Sequence, residues 1–200
     1  MTLTLLCLGD SYTIGELVPL HESFPYQTIQ LLRKAGFNFH APESIAKTGW
    51  TTFELAEHLI HTQLERQYDF ITLLIGVNNQ YRGLSIDDFK NDFDFLLKKA
   101  IHLSGENPAR VIVISIPDWG VTPFASGSNQ QQITNEIDAY NQICESAALN
   151  SGSHFINITA SQREDGNKEE FLASDKLHPS AKEYTKWAEQ VNAIIKTQLK

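Results

Sequence analysis

The chain has 200 residues, 42% of them hydrophobic and 20% charged, with only 11 Gly and 7 Pro; this is the size and composition of one ordinary domain with a real core, and it excludes a disordered, collagenous or coiled-coil chain. A formal net charge of −8 argues against a nucleic-acid partner, which needs a basic surface; Lys98-Lys99 and Arg33-Lys34 fall in amphipathic stretches, where a solvated helix face accounts for them. The two cysteines, Cys7 and Cys144, lie in an apolar run and a helical pattern without CxxC spacing, which predicts buried free thiols and excludes a disulfide framework or a zinc knuckle.

Residues 3–8 are an apolar run that enters Gly9-Asp10-Ser11 directly. The run lacks a basic flank and is too short for a signal peptide or a membrane helix, so it reads as the first strand of a cytoplasmic protein without stable membrane insertion. The Asn157-Ile158-Thr159 triplet is then a chance match to a glycosylation acceptor. Ser23 precedes a helical pattern over 24–35, with Gly36 placed to close it. Residues 37–45 form a weaker strand pattern interrupted by Pro42, which suits an edge. Thr51-Thr52-Phe53-Glu54 has the form of a capping box and predicts a helix to about 65. Residues 70–75 read as a buried strand. Ser85 opens the next helix, with Phe89, Phe93, Leu96, Leu97 and Ile101 on one face. Residues 111–116 are a second buried strand, rich in β-branched side chains. An irregular segment over 117–130 leads to a helix over 131–149, with Ile133, Ile137, Tyr140, Cys144 and Ala147 in register and Gly152 at its end. A short strand over 154–158, an irregular polar stretch over 159–177 and a final helix capped by Ser180-x-x-Glu183 complete the pattern. Tyr184, Trp187, Val191 and Ile194 or Ile195 form that helix's inner face. Five strands alternating with five helices predict a parallel α/β sheet covered on both faces. In such a sheet ligands bind outside the carboxyl ends of the strands, so a real site must be built from residues that follow strands.

Four groups meet that demand: Gly9-Asp10-Ser11, Gly49-Trp50, Gly76-Val77-Asn78-Asn79, and Asp175-x-x-His178 before the last helix. Acyl transfer needs a hydroxyl nucleophile, a base with a pKa near the working pH, and a carboxylate that fixes the base's tautomer. Ser11, His178 and Asp175 can fill those roles, and the three-residue offset from Asp175 to His178 lets a tight turn bring the carboxylate to Nδ1. Donors must also meet the developing oxyanion; the N–H of Ser11, the N–H of Gly49 and the side-chain amide of Asn78 are the candidates, glycine permitting close backbone approach. Taken singly, each group has a plainer reading: a turn after a strand, a helix-entry loop, an αL asparagine. Their joint placement after four different strands is what argues for a site.

These blocks, in this order, resemble those of the GDSL, or SGNH, hydrolases. Gly9-Asp10-Ser11-Tyr12-Thr13-Ile14-Gly15 is similar to the nucleophile block, Gly49 to the glycine block, Gly76-Val77-Asn78-Asn79 to the asparagine block and Asp175-Lys176-Leu177-His178-Pro179 to the last block. The resemblance spans most of the chain and implies one hydrolase domain over 1–200, folded as a three-layer α/β/α sandwich on a flavodoxin-like five-stranded parallel sheet. It also implies two-step ester hydrolysis through an acyl-serine on a small-molecule ester, without metal or organic cofactor; the lack of a long apolar lid in the sequence points to a short acyl or acetyl group. An acyl thioester or an acetylated sugar fits the same site. Tyr12 stands where the family usually has leucine and Asn79 where it usually has aspartate; these departures bear on the pocket wall and local hydrogen bonding, not on the reaction.

On the substrate side, Tyr12, Trp50, Asn79, Trp119 and Phe124 are candidate pocket residues. Trp119 and Phe124 serve equally well as anchors for the 117–130 loop, and Trp50 as core. Gln80, Tyr81 and Arg82 read by default as surface, and Asp10 as the cap of the turn after the first strand. His58 and His61 are three apart, not in the i,i+4 spacing of a zinc site, and no third ligand stands at a recognisable distance. A nucleotide- or flavin-binding module is a distinct alternative on a similar sheet. It would need a glycine-rich phosphate loop after the first strand, where this chain instead carries Asp10, an acidic side chain that repels phosphate.

Overall fold

The computed structural model describes residues 2–200. Five parallel strands form one sheet in the order β2-β1-β3-β4-β5. The central strands β1 (Leu5–Asp10), β3 (Phe70–Leu74) and β4 (Val111–Ile114) are buried along their whole length, as expected of a parallel sheet covered on both faces. The edges β2 (Glu43–Lys47) and β5 (His154–Ile156) are more polar and partly exposed.

Each crossover is helical. The long helices are α2 (Phe24–Lys34), α3 (Thr52–His61), α5 (Ile86–Leu103), α6 (Gln130–Ser151) and α8 (Ala181–Gln198). One layer pairs α2 with α8; the other sets α3 against α5 and α5 against α6. Together with the sheet they make the three-layer flavodoxin-like sandwich. The helix ends follow the sequence signals. Gly36, at φ 93°, closes α2 with Gly36 N–H bonded to the Arg33 carbonyl and Phe37 N–H to that of Leu32, a Schellman close. Thr51 and Glu54 form the reciprocal capping box of α3.

Several expected boundaries shift. The first strand runs from Leu5 rather than residue 3, while Leu3 only bridges Phe39. The second strand is not over 37–45: apart from the Leu3–Phe39 bridge, its ladder with β1 starts after Pro42, whose missing N–H cannot join it. Helix α3 stops at His61, four residues before the expected end. The last strand ends at Ile156, and the stretch expected to be irregular after it contains α7 (Ile158–Asp165), capped by the Asn157 side chain on Ala160 N–H. Two single-turn helices, α1 (Ser11–Ile14) and α4 (Val77–Tyr81), also lay outside the expected pattern. Ser180 holds the N-cap position of α8, but the box with Glu183 does not form. Ser180 Oγ donates to the Glu170 carbonyl, and Glu183 turns inward to accept from Trp187 Nε1. Among the described residues no helix is long and apolar enough to cross a membrane.

Candidate active site

The side chains of interest meet at the carboxyl edge of the sheet, where β2 and β3 flank β1 and the strand order reverses. Ser11 is the first residue of α1, directly after β1. Asp10 Oδ1 accepts the Tyr12 N–H at 3.0 Å and so fixes this turn, the capping role read for it from the sequence. Gly9 makes the sharp turn possible: a Cβ there would lie 2.1 Å from Thr13 Oγ1 and 2.4 Å from the Leu74 carbonyl oxygen.

His178 and Asp175 arrive on the loop before α8. Asp175 Oδ1 accepts both the Leu177 and His178 N–H groups at 3.0 Å, and Lys176 between them sits at φ 60°. This tight local turn leaves Oδ2 free to meet His178 Nδ1 at 2.6 Å. His178 Nε2 then lies 3.0 Å from Ser11 Oγ. Both residues are largely covered, Ser11 at 4% and His178 at 8% exposure. Burial pushes the Asp175 carboxyl up, but the bonds from the His178 side chain and the His178 and Leu177 backbone outweigh it and hold the group below its usual range. Since Asp175 can only accept, Nδ1 carries the proton and Nε2 presents a lone pair to the Ser11 hydroxyl. The Tyr12 ring, 4.9 Å from the imidazole and backed by Trp187 at 6.4 Å, walls the histidine in.

A cavity of about 170 Å³ opens over Ser11. Gly49, in the left-handed region at φ 83°, and Asn78, on α4, line one side. Asn78 Nδ2 gives one proton to the Trp50 carbonyl at 3.0 Å, and an amide nitrogen has a second proton to give. Tyr12, Trp119, Phe124, Tyr81, Val77 and Leu177 supply the apolar wall. Trp119 stands edge-on to Tyr81 at 5.2 Å and to Phe124 at 6.1 Å, while its Nε1 donates to Gln80 Oε1 at 2.7 Å. The loop beneath is anchored by buried Asp118, which accepts from Gly120 N–H, Thr134 Oγ1 and Arg163 Nε.

The structure thus brings together Ser11, His178, Asp175, Gly49, Asn78, Tyr12, Trp119 and Phe124. It keeps two candidates apart from the cavity. Asn79 is buried behind it, with Oδ1 accepting the Thr52 N–H at 3.0 Å and Nδ2 donating to Thr52 Oγ1 at 2.8 Å, so it ties α4 to the start of α3. Trp50 packs its ring on His58 at 4.8 Å and reaches the site only through its carbonyl. Conversely Tyr81, read as surface, lines the cavity; its position three residues after Asn78, on the same helical face, is the signal that could have found it. A larger groove of about 580 Å³ between α5 and α6 contains no nucleophile beside a base. Among the described residues no three His, Cys, Asp or Glu side chains are grouped to hold a metal ion.

A family model described as the GDSL-like lipase/acylhydrolase family matches residues 7–186. No curated protein matches the chain. Among solved structures, the fold is similar to that of TesA (16% identity, 97% of this chain and 98% of that one, TM-score 0.74). It is also similar to Axe2, an acetylxylan esterase from Geobacillus stearothermophilus (18%, 96% and 93%, TM-score 0.75), and to a lipase/acylhydrolase from Enterococcus faecalis (19%, 98% and 97%, TM-score 0.76).

Proposed function

The chain belongs to the GDSL-like lipase/acylhydrolase family, and from that premise we propose that it hydrolyses small carboxylic esters through an acyl intermediate on Ser11, as one hydrolase domain over 1–200. The observation that carries this reading is the unbroken hydrogen-bond line from Ser11 Oγ through His178 to Asp175, at 3.0 and 2.6 Å.

The chemistry follows from that line. His178 Nε2 takes the Ser11 proton as Oγ forms its bond to the ester carbonyl carbon, and the carbonyl π electrons move onto oxygen. Asp175 stabilises the imidazolium and holds its orientation without taking the proton. The oxyanion is met by the N–H groups of Ser11 and Gly49 and the second Asn78 Nδ2 proton, donors held in place before the reaction. Collapse of the tetrahedral species breaks the bond to the leaving alkoxide, which receives the proton from His178. Water, deprotonated by the same nitrogen, then attacks the acyl-serine, and the free acid leaves. The remaining nucleophilic candidates are inert: burial pushes the Cys7 thiol up to about 12 and raises that of Cys144 as well. Both thiols are unpaired, which fits a reducing compartment and supports a cytoplasmic location.

The substrate reading rests on size. A cavity of about 170 Å³ with aromatic and aliphatic walls suits an acetyl or short acyl chain. Acetylated sugars and short acyl thioesters present the same acyl group to the same site.

The test is hydrolysis of p-nitrophenyl acetate, butyrate and octanoate by the native enzyme and by Ser11→Ala, with an acetylated sugar and an acyl thioester in parallel. Turnover of the short esters that vanishes in Ser11→Ala is the expected result, and the parallel substrates rank the leaving groups. A Ser11→Ala enzyme as fast as the native one removes the assignment.

A further inference from the structure

Gly49 sits where a donor to the oxyanion is needed, yet a glycine at φ 83° is the residue least able to hold one backbone orientation by itself. Its loop is nevertheless held at three consecutive residues. The Gly49 carbonyl accepts from Arg82 Nη2. The Trp50 carbonyl accepts from Asn78 Nδ2. The Thr51 N–H and hydroxyl both donate to Glu54 Oε2, at 2.8 and 3.0 Å. Arg82 links the outer two fastenings, since its Nη1 also reaches Glu54 Oε2 at 3.4 Å.

Arg82 closes α4, its own N–H bonded to the Asn78 carbonyl, so the two side chains that grip the loop come from successive turns of one short helix. Its guanidinium does not line the catalytic cavity. It lies on the far side of Gly49, in the groove bordered by Thr51, Glu54 and Asp88. A planar cation with donors in a fixed fork suits this placement, because one face of the fork can hold a carbonyl while another holds a carboxylate.

We propose that Arg82 is a positioning residue for ester hydrolysis: by holding the Gly49 carbonyl against the Glu54-capped start of α3, it aims the Gly49 N–H at the oxyanion beside Asn78. The carbonyl and N–H of one glycine are joined through only two torsions, so restraining the first restrains the second. Because the ion pair with Glu54 is solvent-exposed, its worth to global stability is small. Its effect falls instead on a donor whose value depends on being fixed before the reaction. This inference rests on the oxyanion role given to Gly49 above.

The test compares Arg82→Ala and Arg82→Lys with the native enzyme in three readouts. These are kcat and KM for p-nitrophenyl acetate, the affinity for a small alkylboronic acid, and the thermal midpoint. The boronic acid accepts the Ser11 oxygen at boron, passes the Ser11 proton to His178, and sets a boron-bound hydroxyl where the oxyanion would lie. Arg82→Ala should lower kcat about tenfold, short of the 10²–10³-fold that deletion of an oxyanion donor brings. KM should stay within about twofold, and boronate binding should weaken by the same factor as kcat, since both report binding of the tetrahedral species. Arg82→Lys, which can keep one contact but not both, should lie between. Unchanged kcat and boronate affinity in Arg82→Ala overturns the proposal, as does a rise in KM alone, which would make Arg82 a substrate contact. If Arg82→Ala does not fold, Arg82→Lys decides by the same two readouts. Ser11→Ala and Asn78→Ala run alongside separate the two levels: an active Ser11→Ala removes the site reading itself. An inactive Ser11→Ala and an impaired Asn78→Ala beside an unaffected Arg82→Ala remove only the role of Arg82.

Discussion

Asp10 offers a sharp physical test, because it is an ionisable group sealed beneath the nucleophile. Its carboxyl is fully buried; Oδ1 accepts the Tyr12 N–H, while Oδ2 has no partner. Burial pushes its pKa from 3.8 up to about 7, since little in the surroundings compensates the charged form. Between those two values the unfolded chain has lost the proton and the folded chain keeps it, so the folded state binds more protons and stability must fall as pH rises through this window. The full penalty is present above pH 7 and absent below about pH 4. A shift of that size corresponds to about 4 kcal/mol, the larger part of it falling between pH 5 and pH 8. Asn at this position copies the shape of the neutral acid and keeps the oxygen that caps Tyr12. Asp10→Asn should therefore gain on the native protein by about 2 to 3 kcal/mol between pH 5 and pH 8, measured as the change in unfolding free energy from urea titrations at both values. A stability difference between the two proteins that is the same at both pH values refutes the reasoning.

Three further outcomes follow from the same geometry. Asp175→Asn should preserve the fold but lower kcat by about 10⁴-fold, because an amide at Oδ2 favours the wrong imidazole tautomer; stopped-assay turnover with a circular dichroism control checks it. Gly9→Ala should destabilise the protein by several kcal/mol, on the order of other overpacked sites, because the new methyl collides with Thr13 and with the Leu74 backbone, which cannot yield; a denaturant titration measures it. Trp119→Ala should widen the acyl cavity and shift the preference from acetate toward octanoate, read as the ratio of kcat/KM values, and an unchanged ratio would move Trp119 out of the acyl pocket.

Ser11 and Asn78 were legible in the sequence because each closely follows a buried strand. Leu5–Asp10 and Phe70–Leu74 are largely apolar and buried along their whole length, so the residues after them could only lie at the sheet's carboxyl edge. Asp175 and His178 were legible because their pairing is local, within one turn. What escaped the sequence depends on partners distant along the chain. Asn79 reads like its neighbour Asn78, and only the approach of Thr52 decides that it braces a helix instead of facing the cavity. Glu183 has the spacing of a capping residue, but Trp187 Nε1 offers it a buried partner and the cap is given up. Arg82 leaves no mark in the sequence, since what it holds is a backbone carbonyl 33 residues away. The second strand was misplaced because Glu43–Lys47 is an edge strand with little apolar alternation to reveal its register.

The Ser11–His178 bond joins residues 167 positions apart, whereas the Asp175–His178 pair closes over three. During refolding the acid–base pair can form while the rest of the chain is still searching, but it meets its nucleophile only when the last helix and its entry loop dock beside the first strand. Recovery of ester turnover after denaturation is therefore a clock for that long-range closure. It should lag the return of helical signal by however long the two ends of the chain take to find each other.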